Sequence, residues 1–166
     1  MQLILIILRL IHIAAGTFWA GSALMLALVI LPGARKAGPG SERHLPMAAI
    51  SQAMGIASML TTAAGLLLYW LVSGFSWAWI SSPLGIGLTL GSLAGIGAFL
   101  LGTFSTAPTA GKLAALGGQM QAAGGPPQPE QLAEMGRLQA KLASSSQWST
   151  ILATAALALM AVARYL

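Results

Sequence analysis

Four long apolar stretches, separated by short polar or proline-containing segments, dominate the pattern of the sequence. A helix needs roughly 20 mainly apolar residues to cross the hydrocarbon core of a bilayer, and each stretch has about that length or more. The first three end at proline, glycine or serine, which are residues that commonly stop a helix. The sequence therefore predicts an all-α polytopic membrane protein, a bundle of four transmembrane helices with spans at about 3–31, 47–72, 83–107 and 148–166.

Residues 108–147 are more polar than the spans and contain a linker and a second kind of helix. The run Gly124–Pro129 holds three prolines and two glycines, and it is predicted to be irregular. Apolar residues then recur at helical spacing, at Leu132, Met135, Leu138 and Leu142. The pattern predicts a short amphipathic cytoplasmic helix hinged at 144–146, although a plain extension of the last span explains the same spacing.

Composition agrees with a membrane environment. Hydrophobic residues make up 57% of the 166 residues and charged residues only 7%. Soluble domains carry about a quarter charged residues, so the expected solvent and partner of this single domain is the lipid bilayer. The eight Lys and Arg residues lie at the ends of apolar segments and not in a cluster, so we expect no nucleic-acid binding.

The distribution of basic residues predicts the orientation. The segments between spans one and two and between spans three and four hold six of the eight basic residues, namely Arg35, Lys36, Arg43, Lys112, Arg137 and Lys141. The other two, Arg9 and Arg164, lie in the terminal spans. Because cytoplasmic loops carry the excess of Lys and Arg, both termini are predicted to lie outside.

Small residues recur along the spans at helical spacing. Span three has Gly87, Gly91 and Gly95 four residues apart. Glycine ladders of this kind let neighbouring helices approach closely, and they predict tight packing rather than a function. Span two places Ser58, Thr62, Gly65 and Tyr69 on one face.

One face of span one carries polar as well as small residues. Arg9, His12, Gly16, Trp19 and Ala23 are separated by 3, 4, 3 and 4 residues, which places them on one side of a helix. Ionisable side chains inside a membrane are costly and usually face a partner or a cavity. His12 is therefore a candidate ligand of a cofactor or metal, and the alternative is a histidine hydrogen-bonded to a Ser or Thr of span two. His44, in the segment after span one, is expected to be solvated.

Two sequence patterns carry a family resemblance. The stretch Arg9–Ile13, followed by Trp19–Gly21 and Leu31-Pro32, resembles the first helix of CopD-like membrane proteins and of HemJ-type protoporphyrinogen oxidases. Thr62–Leu66 and the closing Met160–Leu166 are similar to uncharacterised four-helix relatives of these groups. The resemblance implies a multi-pass protein of the bacterial cytoplasmic membrane that binds b-type haem or handles copper.

The haem interpretation assigns roles to particular residues. In HemJ-like proteins a first-helix histidine binds b-type haem, and the position that matches is His12. The small residues Gly16 and Ala23 would leave a groove beside the ring, with Trp19 as one wall. Arg9, together with Arg164, would pair with the propionates. Residue counts place Met160 at a similar depth to His12, so His/Met ligation and a five-coordinate haem are both open. The implied function is electron transfer or haem-protein assembly.

Two other functions remain open. Copper handling would use His12 and Met160, because imidazole and thioether ligands suit Cu(I). A non-catalytic subunit of a larger membrane complex, or of a homo-oligomer, needs only the glycine ladder and the small loops. No Lys, Asp or Glu lies inside any predicted span, and general acid–base catalysis needs such titratable groups, so an enzyme is the less favoured interpretation.

Overall fold

The computed structural model describes residues 1–37 and 46–166. Of these residues 92% are helical and none lies in a strand, which confirms the predicted all-α class. His44 and Arg43 lie outside the described residues. The helices are α1 (Gln2–Met25), α2 (Leu31–Ala37), α3 (Met47–Ser73), α4 (Trp77–Ile80), α5 (Pro83–Leu101), α6 (Ala107–Ala123) and α7 (Pro129–Val162).

Four continuous helical segments are long and apolar enough to span a membrane, as the sequence predicts. Their bounds are Gln2–Gly33, Met47–Ser73, Pro83–Ala123 and Pro129–Tyr165. Large apolar side chains cover their outer surfaces, for example Leu28 at 70% and Leu93 at 61% exposure. Exposed apolar surface on this scale is typical of contact with lipid. The chain is therefore a multi-pass membrane protein.

The predicted helix ends at Leu31 and Ala107 are wrong, because both helices continue through the following proline. A π-helical segment, Leu26–Ile30, joins α1 to α2, and a second, Gly102–Thr106, joins α5 to α6. Pro108 falls in the first turn of α6, where its missing N–H costs little. The Thr106 hydroxyl donates to the Leu101 carbonyl over 3.2 Å, which gives a carbonyl of the widened turn a partner.

The last helix is a single element. α7 runs without a break for 34 residues from Pro129 to Val162, so the hinge expected at 144–146 is not observed and the plain extension of the span is correct. Its start is fixed by Gln128, whose backbone N–H donates to the Gln131 side-chain oxygen over 3.0 Å. The predicted linker before it is confirmed as non-helical at 124–128.

The four long helices form a ring in the order α1, α3, α5, α7. The closest packing is between α1 and α3 and between α5 and α7, while the contacts of α1 with α7 and of α3 with α5 are far fewer. The glycine ladder lies in the α5–α7 interface, as predicted. A Cβ on Gly91 would lie 2.9 Å from Cγ of Met160, and a Cβ on Gly87 would lie 3.0 Å from Cβ of Ala163.

Side-chain hydrogen bonds link α5 to both of its neighbours. The Tyr69 hydroxyl lies 2.8 Å from Oγ1 of Thr89, which ties α3 to α5. The Ser149 hydroxyl donates to the Ala98 carbonyl over 3.0 Å, which ties α7 to α5. The bundle is therefore made of two tight helix pairs that meet less closely, and the space between the pairs contains the candidate site.

Candidate functional site: an intramembrane cavity at His12

A cavity of about 320 Å³ lies between the two helix pairs. All four long helices line it, and we call it the His12 cavity. Its lining includes His12 and Gly16 of α1, Thr61 and Gly65 of α3, Ser92 of α5 and Met160 of α7. The volume is within the range of sites for small molecules and cofactors. Each of the four helices contributes small residues to this lining, among them Gly16, Gly65, Gly95 and Ala156.

One end of the cavity is closed by packed side chains. Trp19 and Ala20 of α1 form a cluster with Ala57 of α3, Ala98 of α5 and Ala153 of α7. Ala98 is completely buried and Trp19 is 8% exposed, so this cluster is a buried layer of the bundle. The cavity therefore extends from Trp19 toward the chain termini, past His12.

His12 is half-buried and its ring is oriented by a single hydrogen bond. Nδ1 lies 2.8 Å from the backbone carbonyl oxygen of Thr61. A carbonyl only accepts, so Nδ1 carries the proton, and in the neutral ring Nε2 keeps its lone pair. Within the described residues the ring makes no other hydrogen bond. Nε2 is thus available to accept a proton donor or to coordinate a metal.

Gly65 provides the space for this ring. A Cβ at position 65 would lie 2.7 Å from Cε1 and 2.9 Å from Nδ1 of His12. Real Cβ atoms do not approach other atoms that closely, so any side chain here would displace the imidazole. Gly65 lies four residues after Thr61, whose carbonyl accepts the hydrogen bond from His12. The missing side chain at Gly65 and this hydrogen bond together fix the position of the ring.

The hydroxyl of Thr61 is the other notable polar group of the cavity wall. Its Oγ1 is buried, and in the part of the chain that the structure describes it has no hydrogen-bond partner. A buried hydroxyl without a partner is costly, and native structures rarely keep one. This hydroxyl is packed against Gly16, since a Cβ at position 16 would lie 3.7 Å from its oxygen. Thr61 therefore contributes its backbone carbonyl, and not its hydroxyl, to the surroundings of the His12 ring.

The structure brings together four of the six predicted site residues. His12, Gly16, Trp19 and Met160 all line the cavity. Arg9 and Arg164 do not line it, and both are exposed. The Arg164 guanidinium lies over the Tyr165 ring, 5.0 Å from its centroid. Long basic side chains near helix ends extend toward the membrane surface, so helical spacing alone does not place their charges in a cavity.

Most of the lining residues were not singled out by the sequence analysis as site residues, among them Thr61, Gly65 and Ser92. Gly65 was assigned to the stripe of small residues on span two, but its pairing with His12 depends on the register between two helices. Among the described residues, no group of three or more His, Asp, Glu or Cys side chains is close enough to hold a metal ion.

The fold and the cavity define a class, a polytopic α-helical membrane protein with an intramembrane cavity that contains one oriented histidine. A scan against protein-family models and searches of curated proteins and of solved structures found no match to this chain.

Proposed function

We propose that the protein binds b-type haem in the His12 cavity and serves in electron transfer or in the assembly of haem proteins. The proposal depends on one observation above all. His12 donates its Nδ1 proton to the Thr61 carbonyl and leaves Nε2 free in a cavity lined by four helices. Histidines that bind metals almost always donate their other ring N–H in this way, which fixes the tautomer and the ring orientation.

The other residues of the cavity are compatible with a flat, mostly apolar group. Glycine and alanine form much of the wall, and Trp19 closes one end. Met160 lies on the opposite helix pair from His12 and lines the same cavity. A thioether is a known axial ligand of haem and raises its potential, so Met160 is the candidate second ligand. Haem, when bound, supplies a one-electron couple that this chain's own side chains lack.

The hydroxyl groups of the cavity favour binding over acid–base catalysis. They belong to Thr17, Thr61, Thr62 and Ser92, while His12 is assigned the role of a ligand. Hydroxyl groups orient a ligand by hydrogen bonds but titrate far outside the physiological range. Electron transfer and haem handling need only an axial ligand, a shaped cavity and exclusion of water, and the cavity offers the first two.

The proposal includes a location. The resemblance to CopD-like and HemJ-like proteins favours the bacterial cytoplasmic membrane, and the excess of basic residues in two loops favours both termini outside. His12 then lies in the outer half of the membrane. The partners would be other membrane subunits or a second copy of the chain, which would pass electrons or haem to and from this cavity.

Absorption spectroscopy of the purified protein tests this proposal. The wild-type protein, isolated in mild detergent or titrated with hemin, should show a Soret band and b-type α and β bands on reduction. His12→Ala should abolish these bands and still elute as a monodisperse protein, whereas His44→Ala, at the other histidine, should keep them. A wild-type protein without a Soret band, or a His12→Ala variant that keeps one, would contradict the proposal. Elemental analysis of the same samples distinguishes iron from copper.

A further inference from the structure

Each long helix packs against two neighbours, and we call each of these four helix–helix interfaces a seam. The seams differ in the side-chain hydrogen bonds that cross them. His12 bonds to Thr61 across the α1–α3 seam, Tyr69 to Thr89 across the α3–α5 seam, and Ser149 to Ala98 across the α5–α7 seam. Within the described residues, no side-chain hydrogen bond crosses the remaining seam, between α1 and α7. This seam also has few contacts compared with the α1–α3 and α5–α7 pairs.

The lining residues at the α1–α7 seam are exposed. Ile13 is 63% exposed and Leu157 is 41% exposed, although both line the cavity. Thr17 and Ala161, which also line it, are exposed as well. Exposed lining residues on both helices of the seam mark an opening between them. In a transmembrane segment, what lies outside this opening is lipid.

The opposite seam, between α3 and α5, has equally few contacts, but a side-chain hydrogen bond crosses it. Leu66 of α3 lines the cavity and is exposed there, whereas Ser92 and Ile96, the α5 residues beside it in the lining, are half-buried. The Tyr69–Thr89 hydrogen bond closes this seam on the side of the chain termini, and Thr89 donates in turn to the Gly85 carbonyl. The cluster of Trp19, Ala20, Ala57, Ala98 and Ala153 closes the other end of the cavity.

From these differences we infer that the ligand of the His12 cavity enters from the bilayer through the seam between α1 and α7. The inference rests on the proposed function in that it gives the route to the same site. It also defines the ligand class as a flat, apolar molecule that dissolves in the membrane and carries a polar or metal centre for His12. Such a ligand reaches His12 without leaving the apolar phase, so the protein needs no aqueous channel.

The absence of cysteine from the sequence permits a direct test that does not depend on haem. Ser92→Cys replaces one small polar side chain by another on α5, across the cavity from the open seam. In proteoliposomes, N-(1-pyrenyl)maleimide, which is itself flat and apolar, should partition into the bilayer and label this unique thiol. The rise of pyrene fluorescence gives the rate of entry.

Three tryptophan substitutions in the Ser92→Cys background then locate the entrance. Ala161→Trp places a large ring at the α1–α7 seam and should slow labelling at least tenfold. Ala158→Trp makes the same change three residues earlier on α7, at an exposed position that does not line the cavity, and should not affect the rate. Leu66→Trp enlarges the α3–α5 seam residue and should also leave the rate nearly unchanged.

Each alternative outcome decides against the inference. If the thiol at position 92 does not react from the bilayer, the cavity is closed to lipid-borne molecules. If Leu66→Trp slows labelling and Ala161→Trp does not, the entrance is the other seam. If neither substitution affects the rate, no lateral entrance limits access. Failure of the haem proposal is seen separately, since it would leave the pyrene rates unchanged and remove only the Soret band.

Discussion

The imidazole of His12 occupies the space that a side chain on Gly65 would need. A Cβ at position 65 would lie 2.7 Å from Cε1 of His12, while Nδ1 of the same ring lies 2.8 Å from the Thr61 carbonyl oxygen. The hydrogen bond determines which nitrogen is protonated, and the glycine determines where the ring can lie. The two conditions together give an intramembrane histidine one position and one tautomer.

Gly65→Ala should therefore displace the His12 ring and break its hydrogen bond to Thr61. Overpacking of this kind costs about 1–3 kcal/mol of stability, and it should outweigh the better helix propensity of alanine. Thermal unfolding in detergent measures the loss, and hemin titration should show weaker or absent binding.

Gly55→Ala is the matched control on the same helix, because a Cβ at position 55 has no atom within 4 Å. It should leave the stability unchanged or raise it by about 0.5–1 kcal/mol, the difference in helix propensity. Equal unfolding temperatures for the two variants would mean that position 65 does not constrain the ring.

Gly91→Leu should separate α5 from α7. A Cβ at position 91 already lies 2.9 Å from Cγ of Met160, and a branched side chain needs more space. The expected loss is about 1–3 kcal/mol or more, read as a lower unfolding temperature in detergent. Gly21→Leu introduces the same residue on α1, where a Cβ meets nothing within 4 Å, and should have little effect. An unaltered unfolding temperature for Gly91→Leu would refute the tight α5–α7 contact.

Tyr69→Phe should weaken the junction between α3 and α5, since it removes the hydroxyl that lies 2.8 Å from Oγ1 of Thr89. Hydrogen bonds between membrane helices contribute on average about 0.6 kcal/mol, so the decrease in stability should be small but measurable. Tyr165→Phe removes a hydroxyl from a side chain that is 76% exposed and should leave stability unchanged. The same loss in both variants would show that the Thr89 contact contributes nothing.

Thiol labelling tests the proposed orientation of the chain. Single cysteines at Ser76, between α3 and α4, and at Gly118, on α6, lie toward opposite ends of the bundle and are both exposed. With both termini outside, an impermeant maleimide added to intact cells should label Ser76→Cys and not Gly118→Cys, and inverted vesicles should give the reverse. Labelling of Gly118→Cys in intact cells would invert the topology.

Much of the fold could be predicted from residue type alone, but the register between helices could not. The four apolar stretches and the glycine ladder of α5 carry their information locally. Four helices long and apolar enough to span a membrane are present, and the glycines pack against α7. The contact of His12 with Thr61 and Gly65 depends on how far α1 slides along α3, which no spacing within one helix specifies. Helical spacing likewise placed Arg9 on the face of His12 but did not show that its side chain lies outside the cavity.

Two helix ends were predicted wrongly because each was placed directly before a proline. Pro32 and Pro108 both follow a π-helical segment, whose wider hydrogen-bonding pattern accommodates the missing N–H. The sequence before Pro108, Gly102–Thr106, is rich in small and hydroxyl residues, and the Thr106 side chain supplies a hydrogen bond. A Pro preceded by such a stretch is therefore weak evidence for the end of a membrane helix.

The continuity of the third and fourth long helices has a mechanical consequence. The helix Pro83–Ala123 has 41 residues, and at about 1.5 Å per residue it measures roughly 60 Å, twice the hydrocarbon thickness of a bilayer. α6 and the first half of α7 pack against each other, so about 30 Å of paired helix acts as a lever arm attached to the α5–α7 pair. A tilt of about 10° within the membrane would move the far end of that arm by roughly 5 Å. A small widening between α1 and α7 that tilted the α5–α7 pair would therefore appear as a larger displacement at the far end of α6 and α7.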